Sequence, residues 1–178
     1  PLSQEIPVTV DRFTVHADGT TIDLSPVVLS LGQDVLQMNG SVSLSGNGVE
    51  LDLDPATDRI DLPTLRGLLQ RKTQEQAAGQ GPGSRRQTDV SGTVHFRAAA
   101  FILDRYQADG LDVNVTFGRE RTTATVEHAL VCGITVTGSL RTVGSEVEVS
   151  FQPQALGKKL EDSVPCIFHK DLGIYGSY

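Results

Sequence analysis

Residues 108–117 read ADGLDVNVTF, and from Leu111 onward every second residue is apolar: Leu111, Val113, Val115 and Phe117, with Asp112, Asn114 and Thr116 between them. Successive side chains of a strand point to opposite faces, so this is a strand with one apolar and one polar face. The same alternation recurs in Val8 and Val10, in Val42 and Leu44, in Val49, Leu51 and Leu53, and in Val147, Val149 and Phe151. Turn signals fall between these runs at Ala17-Asp18-Gly19, Ser45-Gly46-Asn47-Gly48, Ala108-Asp109-Gly110 and Gly118-Arg119-Glu120. The pattern predicts a mainly β fold, an antiparallel meander of about nine or ten strands.

Helical periodicity is scarce. Residues 61–71 (DLPTLRGLLQR) space Leu62, Leu65, Leu68 and Leu69 as a helix would, with an early proline. Residues 154–162, followed by 164–169, form a weaker helical candidate. Residues 72–88 (KTQEQAAGQGPGSRRQT) are polar and Gly/Gln-rich without an apolar period, as in a flexible linker or loop. The chain therefore divides into a first β half over 1–71, the linker 72–88, and a second β half over 89–178. The halves repeat. Gly40-Ser41 precedes Val49-Glu50-Leu51-Asp52-Leu53, Pro55 and Leu62; at one constant offset, Gly138-Ser139 precedes Val147-Glu148-Val149-Ser150-Phe151, Pro153 and Leu160. Upstream, Asp18-Gly19 and Asp109-Gly110 are expected to mark equivalent hairpins. A repeated β unit favours an extended, stackable sheet.

The net charge of −7 argues against nucleic acid as a partner, because phosphate binding needs a basic surface. Hydrophobic residues make up 38% and aromatics 5%, so any core is built from Val, Leu and Ile. No apolar run approaches the roughly 20 residues that span a bilayer. The chain opens at Pro1 and closes on GIYGSY, which reads as the start of a strand, so a piece of a longer protein is expected.

His128 and Cys132 in VEHALVCGITVTGSL (126–140) are residue types common in catalysis. On a single strand they would lie roughly 13 Å apart, beyond the reach of a nucleophile–base pair. No catalytic or cofactor motif stands elsewhere, so neither an enzyme nor a cofactor is expected. A zinc set of His128, Cys132, Cys166 and His169 has the right donors, but its first pair lies along a strand and not on a knuckle. Cys132 and Cys166 otherwise form a disulfide or stay as buried thiols. A disulfide would restrict the unfolded chain by about 3–4 kcal/mol and favours an oxidising compartment. Asp52, Asp54, Asp58 and Asp61 lack the glycine and terminal glutamate of a calcium loop.

Each strand offers an apolar face, yet the helices are too few to cover them. Either two sheets pack face to face, as a structural β-sandwich scaffold that binds a protein partner at an edge, or one curled, groove-like sheet keeps an apolar side free.

Residues 90–141 resemble the C-terminal β-repeat region of AsmA-like proteins. The resemblance lies in a Gly-Thr strand, a "G-hydrophobic-x-hydrophobic" strand, and the element Ala129-Leu130-Val131-Cys132-Gly133-Ile134. The segment SVPCIFHKDLGIYGSY is similar to that family's second cysteine segment, here with Cys166, Ile174, Gly176 and Tyr178; RIDLPTLRGLL is similar to the helix before its linker. The resemblance implies a periplasmic part of a protein anchored in the bacterial inner membrane, similar to bridge-like lipid transfer proteins. Its sheet would carry phospholipid acyl chains between inner and outer membrane and serve outer-membrane assembly. The membrane would be met through parts outside these residues, and other envelope proteins could be partners. On this reading the expected lining is Val42, Leu44, Leu51 and Leu53 from the first half. From the second half it is Val113, Val115, Phe117, Val126, Leu130, Val147, Val149 and Phe151.

Overall fold

The computed structural model describes residues 8–62, 89–155, 157 and 159–168. In chain order the strands are β1 (Val8–Asp18), β2 (Thr21–Leu31), β3 (Asp34–Ser45), β4 (Gly48–Asp61), β5 (Asp89–Leu103), β6 (Tyr106–Phe117), β7 (Arg121–Val131), β8 (Ile134–Val143) and β9 (Glu146–Gln154). Helix α1 (Leu160–Phe168) follows. The strands form one nine-stranded sheet whose spatial order is the sequence order. Among the described residues there is no second sheet, so the two-sheet sandwich is not what these strands build. The sheet is open, because β1 and β9 do not pair. Native strand twist of about 20–25° per neighbour accumulates over a sheet of this width into a curl.

Every pair of neighbours is antiparallel except β4 and β5, which run parallel. The purely antiparallel meander expected from the sequence is thus interrupted once. A parallel neighbour needs a long return connection, where an antiparallel one needs only a tight turn. The polar 72–88 segment stands within that connection, and Asp89 N donates to Asn47 O at 3.2 Å where β5 sets out beside β4. Residues 63–88 lie outside the described residues, and with them most of the helix expected at 61–71.

The turns fall where positive φ is available: Gly19 (60°), Gly32 (69°), Gly46 (56°), Asp104 (53°), Cys132 (53°) and Gly144 (59°). The expected turn at Ala108-Asp109-Gly110 is instead an irregularity inside β6, where the register to β7 shifts between Asp109 and Asp112. The hairpin loop before it is Asp104-Arg105, so Asp109-Gly110 is not the counterpart of Asp18-Gly19.

The repeat itself has a structural identity. Gly40 pairs with Leu53 and Met38 with Pro55; Gly138 pairs with Phe151 and Val136 with Pro153, at the same offset. A Cβ on Gly40 would overlap the backbone carbonyl of Asp52, and one on Gly138 the carbonyl of Ser150. Glycine is therefore required at both places by the close approach of two backbones.

Among the described residues hardly any core is enclosed. Among the described residues the buried apolar side chains are Val27, Ala98, Ala129 and Val164. The sheet is held by its ladder of backbone hydrogen bonds and by cross-strand side-chain pairs on each face.

Candidate functional site

Register carries the alternation of single strands into two continuous surfaces. Following paired residues from β1 to β9 gives Val15, Leu24, Gly40, Leu53, Val94, Val115, Ala124, Leu140 and Val149, without a polar side chain. The adjacent row reads His16, Asp23, Ser41, Asp52, Thr93, Thr116, Thr123, Arg141 and Glu148, without an apolar one. Paired residues share a face and successive residues alternate, so the sheet has one apolar and one polar side. Neighbouring rows extend the apolar side: Ala17, Ile22, Val42, Leu51, Gly92 and Phe117 lead toward Val147 through Thr122 and Thr142.

At about 4.8 Å per strand this surface runs roughly 38 Å across the sheet. Along β6 it extends about 20 Å from Leu111 to Phe117 at 3.3 Å per residue. The hydrocarbon layer of one membrane leaflet is about 15 Å deep, so an acyl chain lying along a strand fits within the apolar width. The rims are the most open: Phe13 is 66% exposed on β1, and Val147 and Phe151 are 63% and 57% exposed on β9. Contiguous exposed apolar surface of this extent marks a binding surface.

The expected lining residues of β3, β4, β6 and β9, and Val126 of β7, fall in these rows and their alternating neighbours, and Leu130 stands at an irregularity. The register of β7 against β8 shifts between Val126 and Leu130, which seats an extra residue in β7. Leu130 then pairs with Thr135 of the polar parity on β8, while on β6 its pairing with Asp109 keeps the register of Val126 with Val113; Ala129 beside it is buried. The extra residue changes the register of β7 toward β8 alone. Simple parity from Val126 cannot register such a bulge. Residues of β5 belong to the apolar side as well, Val94 and Phe96 foremost. Their signal was present in the alternation of residues 89–98 (DVSGTVHFRA), with Ser91, Thr93 and His95 on the other parity.

The polar side is stapled where the two halves meet. Arg97 on β5 holds Asp54 on β4 through both carboxylate oxygens, at 2.9 and 2.8 Å. His95 Nε2 donates to Asp112 of β6 at 2.7 Å, and its Nδ1 lies 3.6 Å from Asp54. Arg119 grips Asp89 at 2.9 and 2.7 Å. Of the aspartates of β4, Asp54 is thus the partner of Arg97, and Asp52 sits in the polar row.

The stretch 126–140 is two strands joined at Cys132-Gly133. Cys132 and Cys166 form a disulfide, with Cα atoms 5.6 Å apart. Tyr106 OH donates to Ile167 O at 3.0 Å, a second tie between α1 and the same end of the sheet. Ser163 and Val164 of α1 are buried. His128 lies at the β7 irregularity, paired with Asp112, and its Nδ1 donates to Gly110 O at 2.8 Å. A carbonyl only accepts, so Nδ1 carries a proton. The zinc set is not assembled, because both sulfurs are in the disulfide and His128 Nδ1 is engaged; His169 lies outside the described residues. No helix among the described residues is long and apolar enough to cross a membrane.

No protein-family model, curated protein or solved structure matches the chain.

Proposed function

We propose that this chain is a non-catalytic segment of an AsmA-like envelope protein whose apolar sheet face lines a groove for phospholipid acyl chains. The observation that carries the reading is the apolar row from Val15 to Val149, continuous over nine strands and left without a covering layer among the described residues. A face of this kind in water favours binding to apolar ligand, at about 25 cal/mol per Å² removed from solvent. Polar headgroups stay in solvent beyond the strand ends. The disulfide fits an oxidising compartment such as the periplasm, where such a segment would lie between the two membranes. Anchoring in the inner membrane and contacts with other envelope proteins belong to the same proposal and rest on the resemblance of the cysteine elements.

Native mass spectrometry after mild extraction tests it. Co-purified phospholipid, with uptake of a fluorescent fatty acid by the delipidated protein, supports the groove. A lipid-free protein that takes up no fatty acid overturns it.

A further inference from the structure

Helix α1 has little intrinsic stability. It is nine residues long and carries Pro165 inside, which removes a backbone donor from its last turns. Isolated helices shorter than about 12–15 residues are marginal in water, so α1 persists through what it is tied to. Its ties to the sheet include the Cys132–Cys166 disulfide and the bond from Tyr106 OH to Ile167 O, and its Ser163 and Val164 are buried.

Tyr106 shares its face with an apolar row. Ala108, two residues further along β6, pairs with Phe101 of β5 and with Val131 of β7. Phe101 pairs in turn with Ile60 of β4, and Val131 with Ile134 of β8. All five are half-buried, although they lie toward one end of an open sheet. Tyr106 thus anchors α1 on the face that carries this row. The disulfide to which the helix is also tied is open to attack, because Cys166 is exposed and Cys132 half-buried. Exposed disulfides are the labile ones. Cys132 also holds φ 53° at the turn where the first unit has Gly32. A side-chain-bearing residue kept in that region points to a role for its side chain.

We propose that Cys132–Cys166 is a thiol–disulfide exchange site for a dithiol reductant, and that its reduction frees α1 from the row through Phe101, Ala108 and Val131. One thiolate of the dithiol attacks Cys166 Sγ, a mixed disulfide forms, and Cys132 leaves as a thiolate. The second thiolate of the dithiol then displaces Cys166. The dithiol departs as a disulfide, and the two cysteines take up its two electrons and two protons. With its covalent tie gone, α1 is too short to hold its place, and the apolar row opens to water. Reoxidation closes it again. The inference stands on α1 and its ties, independently of whether the apolar side of the sheet holds lipid.

The test uses the oxidised full chain under native conditions. With reduced glutathione, peptide mass mapping should place the mixed disulfide on Cys166 and a free thiol at Cys132. With dithiothreitol, α1 should lose its hydrogen-exchange protection and the side-chain resonances of Phe101, Ala108 and Val131 should shift. β1 to β4 should keep their protection, and reoxidation should restore the starting pattern. The double variant Cys132→Ser, Cys166→Ser should show the released pattern without reductant and stay unchanged by dithiothreitol. A disulfide that resists dithiothreitol in the folded protein, a glutathione adduct on Cys132, an α1 that stays protected after reduction, or loss of protection throughout β1 to β4 would each overturn the inference.

Discussion

The units β1–β4 and β6–β9 follow one hairpin scheme, and the difference that carries chemistry lies at the turn between their second and third strands. Between β2 and β3 the first left-handed position is Gly32, with φ 69°; between β7 and β8 it is Cys132, with φ 53°. Glycine reaches that region without steric cost, whereas a side-chain-bearing residue costs about 1 kcal/mol there. The second unit carries that cost together with a disulfide to α1, and the first unit has no cysteine to match it. What the units share therefore defines the sheet: alternation, a bulge in β2 and β7, and a glycine where backbones crowd. What they do not share is a staple for one helix.

The shared glycines give the largest expected effect. Gly40→Val and Gly138→Val should each abolish the cooperative unfolding transition followed by circular dichroism, because the new Cβ overlaps a backbone carbonyl with no room to yield. Gly46→Ala, at a turn with open space around it, should cost only about 1 kcal/mol. A tolerant Gly138 beside an intolerant Gly40 would break the equivalence of the units.

The staple comes next. Replacing Cys132 and Cys166 with serine should lower stability to denaturant by about 3–4 kcal/mol in the loop-entropy picture. Hydrogen exchange should lose its protection at α1 while β1 to β4 keep theirs. In the Cys166→Ser background, Cys132→Gly should be about 1 kcal/mol more stable than Cys132→Ser, since it restores the Gly32 situation. The smallest effect is expected on the polar side. Arg97→Ala removes an ion pair whose partners are 49% and 41% exposed, and should cost no more than about 1 kcal/mol by the same denaturation measurement.

Much of this architecture was legible in the sequence because alternation is a local property. The strands through Val49, Leu51 and Leu53 and through Val113, Val115 and Phe117 could be read directly, and so could the Gly-Ser repeat. The pairing of Cys132 with Cys166 was one of three readings the residues allowed, beside buried thiols and a zinc set. The parallel joint of β4 and β5 was hidden, because strand direction depends on where the connection returns and not on side-chain period. The irregularity at Leu130 was hidden for a related reason: a bulge is set by the partner strand's register. Ala108-Asp109-Gly110 has the composition of a turn, yet cross-strand pairing with Phe101 and Leu130 carries it through as strand, with Gly110 absorbing the φ of 60°. Of the candidate face, the apolar parity was visible strand by strand. Its continuity over the sheet needed the register.

The most direct test of that face is paramagnetic broadening by a phospholipid spin-labelled in its acyl chain, read on backbone amides and side-chain methyls of the full chain. The account expects strong broadening along Leu53, Val94 and Val115, with Asp52, Thr93 and Thr116 of the adjacent row less affected. Equal broadening of the two rows, or none on either, would contradict it.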